Sequence, residues 1–334
     1  MTRLLIGAWL AASLALPALV ALPAWAETLT LAVGQRGNWD TSVAELGQRA
    51  GIFAKHGLQL QILYTSGGGE TQQAVLSRSV DIGVAAGTLG VLGAASKGAP
   101  VRIIGAETTG AADLYWYVPA SSALKSVADL ADKTVAFSTV GSSTDTVGRM
   151  AMVQFGVPFK LVATGSPPST FTQTMSGQID VGWAAAPFGV EALRDGKTRT
   201  IFRGGEIKAA QGETIRVLLT HAAVLAQKKV LLVEFMKAYR ETIEAMYSDD
   251  AVLKSYAEFA GIPEAVARAT RDEFFPKVAI DPDRISGLEA IMDDGVRFKF
   301  MAAPLTAEQI KTVVAVDLEH FPIGWNHPSG SNAR

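Results

Sequence analysis

Residues 76–91 read LSRSVDIGVAAGTLGV, and residues 175–190 read MSGQIDVGWAAAPFGV. At one constant offset Ser77 meets Ser176, Asp81 meets Asp180 and Gly83 meets Gly182; Ala85 and Ala86 meet Ala184 and Ala185, and Gly90 meets Gly189. A fixed register of this kind marks an internal repeat rather than scattered similarity. Each copy has a polar turn, a short apolar run (82–86 and 181–185) and a bend of small residues; a helix-like apolar segment follows the first bend. Strand, loop and helix in that order are the grammar of a parallel sheet covered by helices. Such sheets bind ligands at the carboxyl ends of their strands. The two copies therefore offer two walls, Ala86, Gly87 and Thr88 in one and residues 185–188 in the other, and two similar lobes facing each other make a cleft. Two buried crossovers without a cleft would also explain the repeat, but not the glycine-rich turns elsewhere in the chain.

A length of 334 residues predicts two domains. Hydrophobic residues make up 49% and charged residues 19%, as in a well-packed globular protein. The net charge is −2 and there is no long basic run, so nucleic acid is not an expected partner. Residues 1–26 stand apart: Arg3, then an almost wholly apolar run over 4–20, then Ala24, Trp25 and Ala26 as a small-x-small cleavage pattern before Glu27. This predicts a secretory signal peptide. A membrane anchor is the competing reading, since a spanning helix needs about 20 apolar residues; Pro17, Pro23 and the cleavage pattern favour removal. Cysteine is absent, so the expectation is an exported, soluble periplasmic protein with neither disulfides nor a lipid anchor. Four widely spaced histidines show no metal cluster, and neither a metal nor a cofactor is expected.

The mature chain predicts strands at 28–33, 58–64, 82–86 and 101–105. A loop follows the first strand at Gly34, Gln35, Arg36, Gly37, Asn38, Trp39 and Asp40, with Asp40 or Thr41 as cap of a helix over 41–50. Residues 65–70, TSGGGE, predict a glycine-rich bend before a helix over 71–76, where backbone N–H groups can approach a ligand. LYWYV at 114–118, followed by Pro119, reads as an aromatic strand leaving the first lobe. A strand at 134–137 leads into Ser138, Thr139, Val140, Gly141, Ser142 and Ser143, then a helix over 144–155. Hydroxyls and free helix N–H groups converge there, which suits an anion; an ordinary serine cap is the alternative. Residues 215–220 predict the strand that returns to the first lobe, and the helices after 223 predict cladding for it.

Four segments in order carry a resemblance: GIFAKHGLQLQI (51–62), SGGGETQQAVLSRSVDIGVAAGTLGVLGAASKGAPVRII (66–104), SVADLADKTVAFSTVGSS (126–143) and QIDVGWAAAPFGVEAL (178–193). Over about residues 28–245 the chain resembles the NMT1/THI5-like group, periplasmic substrate-binding proteins of ABC importers for nitrate, sulfonates, taurine and related compounds. The resemblance implies an α/β, periplasmic binding protein-like type II fold, two lobes joined by two crossover strands and closing over one small molecule. The divisions it implies are a leader at 1–26, lobe one at 27–117, lobe two at 118–218, and a return to lobe one with C-terminal helices at 219–334. It also implies a small-molecule solute, an ABC permease with its ATPase as partners, contact with the membrane only through the permease, and a monomer. Carried onto this chain, the ligand contacts are Gln35, Arg36 and Trp39; Ser66, Gly67 and Gly68; Ala86, Gly87 and Thr88; Ser142 and Ser143; and Ala186 and Pro187. The second copy is apolar from Trp183 to Phe188, which favours a sulfonate or organic acid with an apolar body over nitrate.

The family also contains a thiamin-pyrimidine synthase branch with a cysteine-rich motif; this chain has no cysteine and carries an export signal. A hydrolase or isomerase would need a nucleophile beside a base. Ser142 is available, but His56 lies before a strand and His221 on the return. A module that delivers its solute to a sensor, or a receptor for a thiamin-pyrimidine-type ligand, is the remaining alternative to an importer component.

Overall fold

The computed structural model describes residues 26–321. The leader before Ala26 and the tail after Phe321 lie outside the described residues. Ten strands are present among those described: β1 (Glu27–Gly34), β2 (Leu58–Thr65), β3 (Ile82–Gly87), β4 (Val101–Thr109), β5 (Leu114–Pro119), β6 (Thr134–Phe137), β7 (Lys160–Ala163), β8 (Gly182–Ala185), β9 (Thr198–Arg203) and β10 (Thr214–His221). The first sheet has the order β2-β1-β3-β10-β4. Its first three strands are parallel and β10 runs antiparallel to both neighbours. All six residues of β3 are buried, as a central strand covered on both faces requires.

The second lobe repeats this arrangement. Strands β6 and β7 pair in parallel, and β5 lies between β8 and β9 with antiparallel partners on both sides. A parallel bridge from Val135 to Val181 joins the two pieces. There the Ala136 N–H donates to the Val181 carbonyl (2.8 Å) and the Val181 N–H to the Thr134 carbonyl (3.0 Å). Through that bridge the order is β7-β6-β8-β5-β9, which matches the first sheet strand for strand.

The sequence repeat has a structural job in both copies. The Thr30 N–H and hydroxyl donate to Asp81 Oδ2 (2.9 and 3.0 Å), and the Asp81 N–H donates back to Thr30 Oγ1. Thr134 and Asp180 make the same three bonds at 2.8, 2.8 and 2.9 Å. Each aspartate thus ties the start of the third strand to the first. The repeat also reaches further back than the sequence shows. Thr65 and Thr71 share a hydroxyl hydrogen bond (2.8 Å), and Thr164 and Thr170, at the same offset, share another (2.6 Å). The helices Gly68–Leu76 and Pro167–Met175 stand in equivalent places.

Separate apolar cores fill the lobes. In the first, Leu29, Leu31 and Val33 of β1 pack against Phe235 and Tyr239 of the helix Ala222–Ser248, with Leu253, Tyr256 and Phe275 beyond them. The C-terminal helices clad this lobe, as their apolar spacing predicts. On the other face Ala32 and Ala86 meet Leu89 and Leu92 of the helix Thr88–Ser96. In the second lobe Trp116 stacks on Phe202 at 4.6 Å, over Val135, Val147 and Met150.

The chain crosses between sheets twice, at 110–113 and 204–213. The crossings are tied together: the Gly110 N–H donates to the Glu213 carbonyl (2.9 Å), and the Thr109 and Thr214 hydroxyls share a bond (2.8 Å). Burial, then the charge of Asp294, pushes the Glu213 carboxyl up to about 8 at this joint. Two expectations need correcting. Residues 114–119 do not connect the lobes; they form β5, the inner strand of the second lobe's three-stranded sheet. The expected divisions at 117/118 and 218/219 accordingly fall inside β5 and β10. The second correction concerns the glycines at 68 and 69, which open the helix Gly68–Leu76 instead of forming a bend before it. A Cβ on Gly68 would lie 2.7 Å from the Ala85 carbonyl oxygen, so glycine there serves close packing between helix and β3.

Candidate functional site

The lobes meet at the carboxyl ends of their parallel strands. A cavity between them is lined by Gly34, Gln35, Asn38, Gly67, Gly68 and Arg216 from lobe one, and by Ser138, Ser142, Ser143, Thr144 and Trp183 from lobe two. Its free space is ≈ 20 Å³, little more than one water needs. A solute of several heavy atoms therefore enters only as the lobes part. They are in contact here: the Gly69 N–H donates across the cleft to Thr139 Oγ1 (2.9 Å). A Cβ on Gly87 or on Gly90 would overlap the Gly141 carbonyl oxygen, and one on Gly67 would lie 2.8 Å from Ser138 Oγ. Glycine on lobe one lets lobe two come this close.

The helix Ser143–Phe155 aims its first turn at the cavity. It starts here because Ser142 is extended and its Oγ accepts the Asp145 N–H (3.3 Å); it ends at Gly156, whose left-handed φ of 66° suits glycine. Val147, Met150 and Ala151 bury its inward stripe. Three hydroxyls are locked together at the start: Ser138 and Ser142 each share a 2.9 Å bond with Thr144 Oγ1, which also accepts the Ser138 N–H. Asp145 is fully buried, but its charge is engaged locally by the Gly141 N–H (3.0 Å) and Arg149 Nε (2.7 Å). The N–H groups of Ser143 and Thr144 lie in the first turn, where no intrahelical acceptor exists. Free donors and the helix dipole together favour an anionic group at this point.

Lobe one presents a different chemistry. Arg216 of β10 is buried with its Nη1 3.0 Å from Asp40, its Nη2 2.7 Å from Asp113 and its Nε 3.5 Å from Glu107. The Thr108 hydroxyl sits between Asp40 (3.1 Å) and Glu107 (3.0 Å), with one hydrogen to share between them. Burial, reinforced by the charge of Asp40, raises Glu107 well above the usual carboxylate range. Burial also raises Asp113, against the pull of Arg216. Burial works against the charge of Arg216, but Asp113, Asp40 and Glu107 outweigh it and hold the guanidinium charged. This cluster joins the loop after β1, the end of β4, the first crossing and β10.

Five of the expected contacts line the cavity: Gln35, Gly67, Gly68, Ser142 and Ser143. Gln35 has φ 76° and donates from Nε2 to the Ser66 carbonyl (2.6 Å). Ser66 itself stands at the rim, with its N–H on Glu70 Oε2 (2.9 Å). Gly87 sits at the lobe contact, and Thr88 is buried behind it, its hydroxyl without a partner among the described residues. The others are elsewhere. Arg36 lies over the Phe259 ring at 4.2 Å. Trp39 is wholly buried in lobe one, edge-on to Tyr247 and Tyr256, and donates to the Tyr247 hydroxyl (3.1 Å). Ala86 belongs to the core under the helix Thr88–Ser96. Ala186 donates its N–H to the Asp113 carbonyl (3.0 Å), and the cis-linked Pro187 follows it away from the cavity lining.

Sequence reasoning passed over Arg216, Asn38 and Thr144. Arg216 had a signal: a single charge inside the apolar run TIRVLLTH must be paired if the strand is central. Neither described histidine near a strand end reaches the cleft. His56 bridges Glu234 (3.0 Å) and Glu241 (3.1 Å), and His221 Nδ1 accepts the Ala223 N–H (3.0 Å).

Two lobes of one sheet order, crossed twice by the chain and closed over a cavity at the strand ends, define the periplasmic-binding-protein fold. The described structure matches an alkanesulfonate-binding protein, SsuA, from Xanthomonas axonopodis pv. citri bound to MOPS: 19% identity over 88% of this chain and 99% of that one, with a TM-score of 0.71. It also matches the zinc-bound ligand-binding component of an ABC-type import system from Staphylococcus aureus, at 11% identity, 89% and 100% coverage and a TM-score of 0.69. The same fold carries chemistry in a further match, the desulfurization enzyme DszB, at 16% identity, 85% and 95% coverage and a TM-score of 0.58. No curated protein sequence matches. The model of the NMT1/THI5 like family matches residues 43–251, well over half of the sequence. The chain belongs to the NMT1/THI5 like family.

Proposed function

We propose that the protein is the extracytoplasmic solute receptor of an ABC importer and closes its lobes over a small organic anion, a sulfonate or carboxylate with an apolar body. The observation that carries this reading is the open first turn of the helix Ser143–Phe155 at the cavity, with Ser143 and Thr144 as free donors. Trp183, Leu114 and Ala185 supply apolar wall for the body of the solute. A binding role rather than catalysis is supported by the lining: the hydroxyls of Ser138, Ser142 and Thr144 bond one another, and among the described residues no lining residue is a histidine, lysine or carboxylate. The chain has no cysteine to serve as a thiol nucleophile. Among the described residues no helix is long and apolar enough to cross a membrane. A receptor of this kind hands its solute to a membrane permease driven by an ATPase. Export would leave a protein starting at Glu27, which the intact mass of the periplasmic fraction reads directly.

The test is calorimetric titration of the purified protein with linear alkanesulfonates, taurine, MOPS, short carboxylates, nitrate and a neutral aminopyrimidine. The expected result is saturable binding of at least one organic anion and none of the pyrimidine. At a hundred times its dissociation constant that anion adds about 2.7 kcal/mol of stability, visible as a raised melting temperature. Binding of the pyrimidine alone would overturn the anion reading.

A further inference from the structure

Three described tryptophans are buried, and two have a hydrogen-bond acceptor for the indole. Trp39 donates to the Tyr247 hydroxyl (3.1 Å), and Trp116 donates to the Ala136 carbonyl (2.9 Å). Trp183 is the cross-strand neighbour of Trp116 in the β5–β8 pair, is 2% exposed, and lines the cavity. Its Nε1 is buried and has no partner among the described residues. A buried indole N–H ordinarily finds an acceptor, and leaving one unmet is costly. Arg216 Nε, on the opposite lobe, is the other unmet buried side-chain group among the lining residues. Both are donors. The unmet acceptors of the neighbouring carboxyls belong to residues behind the wall.

We propose that Trp183 contacts the solute and sets specificity, donating its indole N–H from lobe two to an acceptor oxygen of the bound anion. This rests on the anion reading above and deepens it. An indole N–H donates and cannot accept. The site therefore takes an acceptor oxygen at this point, most strongly an ionised sulfonate or carboxylate oxygen, and discriminates against an ammonium presented in its place. The apolar face of the same ring packs the solute's body, which reconciles the apolar second copy of the repeat with a charged ligand.

The experiment uses the full mature chain and the alkanesulfonate or carboxylate that binds the wild type most tightly in the panel above. Trp183→Phe keeps a flat apolar ring and removes the N–H. It should weaken binding of that anion about tenfold or more while the ligand-free melting temperature changes little. In proton–nitrogen correlation spectra of the wild type, the Trp183 indole resonance should move downfield on titration, while those of Trp39 and Trp116 stay within the scatter of the core. If Trp183→Phe does not fold, backbone-linked assignment of the wild-type indole still reads the shift. A wild type that binds the anion while the Trp183 resonance stays fixed, or a folded Trp183→Phe with unchanged affinity, overturns the proposal and leaves the anion reading intact. A wild type that binds no anion overturns both.

Discussion

The two lobes carry the same sheet, yet the loop after the first strand does opposite work in each. After β1, Trp39 and Asp40 turn inward: the indole goes into an aromatic cluster, and the carboxylate goes onto Arg216. No side chain caps the short helical turn that follows. After β6, Ser138, Ser142 and Thr144 hold a well-formed helix start at the cavity, with the Asp145 N–H capped by Ser142 and those of Ser143 and Thr144 without a partner among the described residues. Lobe one uses its charges on itself and serves as the frame. Lobe two leaves its donors open to the cavity, where the proposed solute would meet them.

The frame should therefore fail first under mutation of its charges. Arg216→Met strands Asp40 and Asp113 in a buried site, at a cost of about 3–5 kcal/mol in denaturant unfolding. Arg149→Met removes one of the two groups holding Asp145 in lobe two, from a guanidinium that reaches solvent, and should cost less, about 1.5–3 kcal/mol. Equal losses would break the contrast between frame and reader.

The repeated glycine sharpens it next. Gly90 sits inside the helix Thr88–Ser96 and gives way to Gly141 of the other lobe; its counterpart Gly189 has φ 77° and begins a helix in lobe two. Gly90→Ala suits a helix interior, so the ligand-free protein should not melt earlier. Its new Cβ holds the lobes apart and should weaken binding of the tightest panel anion about 10- to 100-fold. Gly189→Ala should show the reverse, with stability lowered by about 1 kcal/mol through backbone strain and closure spared. Affinity that is unchanged in Gly90→Ala would mean that the glycine contact is not part of the liganded state.

A smaller effect is expected at the reader itself. Ser143→Ala removes one hydroxyl beside the free N–H groups and should weaken the same anion about tenfold without lowering the melting temperature. Ser142 is a poorer probe, because its hydroxyl is already committed to Thr144 and to the Asp145 N–H.

The sheet order of both lobes was within reach of the sequence, because the repeat preserves the residues that tie strand three to strand one. Asp81 and Asp180 survive in both copies and make the same bonds to threonine. The earlier half of the repeat is hidden, since the pairs Thr65–Thr71 and Thr164–Thr170, with the bonds of Thr65 and Thr164 to the Val33 and Phe137 carbonyls, persist amid otherwise different residues. The strand at 114–119 was misread because an aromatic run closed by proline looks like an edge, and its two partners come from residues 182–185 and 198–203. The cavity lining was legible where local geometry makes it, at Gln35, Gly67, Gly68, Ser142 and Ser143. It was illegible where distant partners decide: Trp39 is drawn inward by Tyr247 and Tyr256, and Arg216 is placed in the cavity wall by acids at 40, 107 and 113.

The most direct measurement is a crystal structure of the protein with the tightest anion of the panel. The division of labour between lobes predicts sulfonate or carboxylate oxygens about 2.7–3.1 Å from the backbone nitrogens of Ser143 and Thr144, with the lobes closed around the solute. An anion seated instead on Arg216, with the Ser143 turn untouched, or bound outside the cleft, would contradict it.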